Sequence, residues 1–134
     1  MKLIREINDN YKITEPEHTL KYLKEFQKED REFFIVLGLD TQNKVLYRDV
    51  VSIGTLNCIL IHPREVFKSA IMKSVNSIII AHNHPSGSQD PSKEDLEVLE
   101  TLKSGADILD IKILDALIIT SEGVFSFKGF KEVF

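Results

Sequence analysis

Ser77-Ile-Ile-Ile-Ala-His-Asn-His-Pro-Ser-Gly-Ser-Gln-Asp-Pro-Ser-Lys-Glu-Asp95 is the stretch from which the rest of this 134-residue chain is read. Its opening, Ser77–His82, is a short apolar run rich in β-branched residues, the pattern of a central strand covered on both faces. Pro85 cannot donate to a ladder and ends the strand. The polar segment Ser86–Asp90 turns the chain back, and Pro91 opens a helix whose apolar positions Leu96, Leu99 and Leu102 lead to a stop at Gly105.

Outward from this unit, strand and helix patterns interleave. Phe33–Leu39 (FFIVLGL) is a second run without alternation and reads as another buried strand. Asp40–Asn43 supplies turn chemistry, and Lys44–Ile53 and Thr55–Ile61 read as strands broken at Gly54. Pro63 opens a helix with Val66, Phe67, Ala70, Ile71 and Val75 as its apolar stripe. If Thr55–Ile61 and Ser77–His82 lie parallel, this helix is their right-handed crossover. Lys112–Thr120 predicts a late strand, with Val124–Phe127 as its hairpin partner. Near the N-terminus, Leu3, Ile4 and Ile7 suggest a short strand. Thr14-Glu-Pro-Glu17 has the form of a capping box opening an amphipathic helix over about 15–29, with Leu20, Leu23 and Phe26 on its inner face. The expected fold is therefore α/β, a three-helix sandwich around a mixed sheet.

Composition limits the function classes. The chain is 43% hydrophobic and 28% charged, which excludes a disordered or fibrous protein. One domain spanning 1–134 is expected. No apolar run approaches the roughly 18 residues of a membrane span, and no signal-peptide pattern opens the chain, so a cytoplasmic protein is expected. Seventeen Lys and Arg against 21 Asp and Glu leave a net charge of −4, without the basic excess of a dedicated nucleic-acid binder. The lone Cys58 cannot form an internal disulfide and reads as a small buried hydrophobe.

The chemistry concentrates at the strand end. Side chains alternate along a strand, so His82 and His84 face one way and Asn83 the other. Two imidazoles so placed can share one metal ion. Asp95, in the first turn of the following helix, is held ionised by the helix dipole and suits a third ligand. Two His and one carboxylate leave a tetrahedral zinc one open position, the mark of a catalytic rather than a structural site. Ser92-x-x-Asp95 is also a helix cap, and the two roles are compatible. His18 and His62 read as a solvated side chain and a helix-start residue. One cysteine cannot supply the Pro-Cys-x-x-Cys of a zinc deaminase, and the His-Glu-x-x-His of zincins does not occur.

Glu32, then His82-x-His84, seven intervening residues, Ser92, two more and Asp95 resembles the JAMM signature of JAB/MPN metalloproteases. The wording His-Asn-His-Pro-Ser-Gly, together with Gly54-Thr55 and His62-Pro-Arg-Glu-Val-Phe67, resembles the RadC-like branch, over about residues 14–127. The resemblance implies a JAB/MPN, cytidine-deaminase-like fold and one zinc ion held by His82, His84 and Asp95, with water in the fourth position. It implies Glu32 as general base on that water and then proton donor to the leaving amine, and Ser92 as hydrogen-bond donor to the oxyanion. The implied activity is hydrolysis of peptide or isopeptide bonds in a peptide or protein substrate. The alternative is a domain that binds protein or DNA without turnover, in keeping with the DNA-repair label that RadC-like proteins carry. Two departures stand out. Longer RadC-like proteins have an N-terminal helical region resembling helix-hairpin-helix DNA-binding units, whereas this chain begins close to the JAB-like part, which weakens the expectation of DNA binding. The Asp-His usual in the late strand is here Asp115-Ala116.

Overall fold

Alternate residues of the central strands go to opposite faces of the sheet, and each face has its own cover. A computed structural model describes residues 4–54 and 61–127. Its strands are β1 (Ile4–Glu6), β2 (Glu32–Leu39), β3 (Val45–Gly54), β4 (Ser77–Asn83), β5 (Lys112–Thr120) and β6 (Gly123–Ser126). Its helices are α1 (Leu20–Leu23, extended by 3-10 turns on both sides), α2 (Pro63–Met72) and α3 (Lys93–Leu109). The sheet order is β1-β3-β2-β4-β5-β6. Among the described residues only β4 and β5 pair in parallel, and α3 connects them as a βαβ unit.

On β2, Phe34 and Val36 face α2 and α3, meeting Val66, Phe67, Val98 and Leu102 together with Ile78 and Ile80 of β4. The intervening Ile35, Leu37 and Leu39 pack with Ile79 and Ala81 under Ile13, Tyr22, Leu23 and Phe26. Both apolar runs are thus enclosed from two sides, as a sandwich with a mixed sheet requires. Gly38 makes room for Tyr47: a Cβ there would lie 2.1 Å from the Tyr47 ring.

The structure corrects several expectations. The helix expected over 15–29 is shorter and composite, with 3-10 turns Pro16–Thr19 and Lys24–Phe26 around α1. The three-residue spacing of Leu20, Leu23 and Phe26 matches the 3-10 repeat better than a continuous α-helix. The Thr14 capping box does not form: Glu15 is the N-cap and makes no side-chain cap bond. Instead the half-buried His18 accepts the Thr14 N–H at its Nδ1, 3.1 Å away. Gly105 is not a stop, because α3 continues to Leu109 and closes at Asp110, which takes the left-handed conformation at φ 56°. Gly105 instead permits helix contact, since a Cβ there would meet Phe67 at 3.1 Å. The strand expected over Thr55–Ile61 and the residue Cys58 lie outside the described residues, apart from Ile61, which is buried in the core.

Candidate metal centre

Along β4, Ile78 and Ile80 face α2 and α3, so the same alternation carries His82 and His84 to that side. The parallel connection from β4 brings the first turn of α3 over the strand end, and Asp95 lies there, 6% exposed. The three side chains converge. His82 Nε2 is 2.9 Å from Asp95 Oδ1, His84 Nε2 is 3.0 Å from Oδ2, and the two Nε2 atoms are 2.9 Å apart. The Phe34 ring lies nearly parallel to the His82 ring, at 6.5 Å between centroids.

The loop after β4 orients His84. The Gly87 N–H closes a turn onto the His84 carbonyl at 2.9 Å, and Gly87 takes φ 84°, a conformation that glycine adopts without strain. The chain then returns so that the Ser88 carbonyl lies 2.8 Å from His84 Nδ1. A carbonyl only accepts, so Nδ1 carries a hydrogen, and in the neutral ring this leaves Nε2 as the atom that can ligate a metal. Burial by itself raises the Asp95 pKa, but the His82 hydrogen bond and charge, with the bonds to Ser92, outweigh it and hold the carboxyl well below the usual range. Two imidazole nitrogens and a carboxylate this close are held together by a positive centre, either a proton on an imidazole or a bound cation. A tetrahedral cation with bonds of about 2.0–2.1 Å needs ligand atoms roughly 3.3 Å apart, close to the spacing of these three groups. His82, His84 and Asp95 form a group that can hold a metal ion.

Asp95 is ligand-like and cap-like at once. The Ser92 N–H donates to Asp95 Oδ2 at 2.7 Å, and Ser92 Oγ accepts the Asp95 N–H at 3.1 Å, completing a capping box. The Ser92 hydroxyl is exposed, and its hydrogen remains available for another acceptor. Glu32 opens β2, two residues before Phe34, whose register partner is His82, and thus belongs to the histidines' side of the sheet. It lines a cleft of about 540 Å³ with Asp30, Arg31, Gly54, Pro85 and Ser86. Sequence reasoning missed Asn83, which is 2% exposed. Its Oδ1 accepts the Phe33 N–H at 2.6 Å and its Nδ2 donates to the Arg31 carbonyl at 2.8 Å, bracketing Glu32. The available signal was a carboxamide on the buried face of a central strand, which must find partners. His62 is the N-cap of α2, its carbonyl accepting from Glu65 and Val66.

Residues 13–132 match the family model described as the RadC-like JAB domain. The chain belongs to that family. Among curated relatives of this RadC-like domain, a UPF0758 protein of Methanosarcina mazei is 52% identical over 110 residues, 81% of this chain and 48% of the relative. One of Pelodictyon phaeoclathratiforme is 44% identical, covering 90% of this chain and 55% of its own, and one of Finegoldia magna is 40% identical, covering 93% and 56%. The chain spans about half the length of the curated relatives it matches. In this RadC-like domain Ala116 is buried opposite Ile80, on the α2 and α3 side and one register step inside the His82–Ile118 pair on that face. Asp115 beside it is wholly buried and accepts from the Ala116 N–H and the Ser126 hydroxyl. No helix among the described residues is long and apolar enough to cross a membrane.

Proposed function

We propose that the domain is a zinc-dependent hydrolase of peptide or isopeptide bonds. The observation that carries this reading is the buried convergence of His82, His84 and Asp95 at 2.9–3.0 Å beside a cleft that Glu32 lines. His82, His84 and Asp95 would hold a divalent cation, which would polarise a scissile carbonyl and acidify water at neutral pH. Around it, each residue has a separate task. His84 is kept in one tautomer by Ser88, and Asp95 is kept ionised by its hydrogen-bond partners. Glu32 takes a proton from the attacking water at its carboxylate and returns it to the leaving amine nitrogen. Ser92 donates its hydroxyl hydrogen to the oxyanion, a contribution of about 2.7–4 kcal/mol for a preorganised donor. The cleft along Arg31, Gly54 and Pro85 receives the chain on one side of the scissile bond. Cytoplasmic placement and a peptide or protein substrate belong to the same reading.

Metal analysis and peptide hydrolysis test it together. Protein purified without added zinc is expected to carry close to one equivalent, lost in His82→Ala. Glu32→Gln is expected to keep the metal and lose turnover. Absence of bound metal even on zinc titration would overturn the proposal. Equal inactivity of wild type and Glu32→Gln on a broad peptide and isopeptide panel would instead favour a protein- or DNA-binding module. A steep salt slope in DNA titrations would then identify nucleic acid as its partner.

A further inference from the structure

We infer that Asn83 is a positioning residue for Glu32, its buried carboxamide fastening the backbone on both sides of the base to the strand that carries the metal ligands. The inference rests on the hydrolase reading above. Main-chain pairing of β2 with β4 ends at Phe34 and His82. Glu32 lies beyond that point, held on its other edge by pairing with Gly54 of β3 and preceded by the half-buried Glu29 and the exposed Asp30 and Arg31. A strand end paired on one edge only opens locally at lower cost than the strand centre. Here the Asn83 side chain takes over where the ladder stops, accepting from Phe33 N–H and donating to the Arg31 carbonyl. The two bonds reach across 50 and 52 residues of sequence. The carboxamide has no role toward substrate, since the side chain is buried and departs on the face opposite the histidines.

The clamp needs a donor and an acceptor on one short planar group. Asp offers acceptors only and sets a carboxylate against the Arg31 carbonyl. Gln carries both groups but on a stem one methylene longer. The rest of the segment is also secured: Gln27 Nε2 donates to the Thr120 carbonyl at 3.0 Å, and Phe33 packs against Phe26 at 5.2 Å between ring centroids. Asn83 therefore governs the placement of Glu32 locally, without bearing the fold alone.

The test compares wild type, Asn83→Asp and Asn83→Gln by zinc content, amide hydrogen exchange and steady-state hydrolysis. Asn83→Asp is expected to retain one zinc and wild-type protection at Val36 and Ile80, while the carboxylate, repelled by the Arg31 carbonyl, turns away from both partners and exchange at the Phe33 amide accelerates at least tenfold. Its kcat is expected to fall on the order of 10- to 100-fold, the penalty for displacing a reacting group by about 1 Å, with KM little changed. Asn83→Gln is expected to fall between the two and carries the test if the Asp variant does not fold. Unchanged Phe33 exchange, or unchanged kcat in an active background, overturns the clamp alone. Loss of zinc or of global protection in proportion to lost kcat also overturns it, by showing a general structural role. A wild type inactive on every substrate overturns the hydrolase reading and the clamp's catalytic purpose with it.

Discussion

Asp95 closes the capping box of α3 and faces both histidines, and two substitutions separate these tasks. Ser92→Ala removes the Oγ that accepts the Asp95 N–H but leaves the Ser92 N–H that holds Asp95 Oδ2 at 2.7 Å. The helix start weakens by about 1 kcal/mol, the usual value of an N-cap, while the carboxylate keeps its aim. Asp95→Asn retains an oxygen for the Ser92 N–H but loses the charge between the imidazoles. Disturbing a ligand's supporting partner already costs 10–100-fold in metal affinity, so loss of the anionic ligand is expected to exceed about 100-fold. Thermal melts with and without zinc read both effects. Free zinc at about 100 times Kd adds roughly 2.7 kcal/mol. For a chain of this size that raises Tm by roughly 10 °C. The zinc-induced rise is expected to survive in Ser92→Ala, on a baseline lowered by about 4 °C, and to shrink to about 1 °C in Asp95→Asn. A full zinc shift in Asp95→Asn, or none in Ser92→Ala, would refute the division of labour.

Other outcomes follow from the same geometry. Because the folded Asp95 carboxyl has a lowered pKa, the folded state binds fewer protons than the unfolded chain in mild acid, so its contribution is complete above the unfolded value of about 3.9 and is lost as pH falls through the folded one. Urea melts of the metal-free protein are expected to show an acid decline that Asp95→Asn flattens. Gly38→Ala forces a Cβ to within 2.1 Å of the buried Tyr47 ring, so a loss of about 1–3 kcal/mol or more is expected by denaturant titration. The Tyr47 hydroxyl is buried without a hydrogen-bond partner among the described residues, and Tyr47→Phe is expected to be neutral or stabilising by up to about 1 kcal/mol in the same assay.

The parts legible in the sequence are those dictated by burial period and short-range spacing. Phe33–Leu39 and Ser77–His82 lack alternation because each is covered on two faces, and that absence was itself the signal. His82 and His84 share a side of β4 by strand geometry, and Ser92 lies close enough to Asp95 for the cap to be foreseen. What escaped depends on partners distant in sequence. Gly105 reads as a helix stop until Phe67 is seen against it. The Thr14 box fails because His18 supplies the acceptor, which no capping rule anticipates. Asn83 reads as a spacer between ligands, and its purpose emerges only when Arg31 and Phe33 arrive from the neighbouring strand.

His82 and His84 come from the end of β4, Asp95 from the start of α3 and Glu32 from the start of β2. The reactive groups therefore occupy a rim, and the apolar layers beneath contribute rigidity without chemistry. On the proposed hydrolase function, such a layout lets the bordering loops be rebuilt for a new polypeptide target while the foundation remains untouched. For protein engineering, retargeting efforts belong in the Ser86–Asp90 turn and the approach to Glu32, with the interior strands left as found.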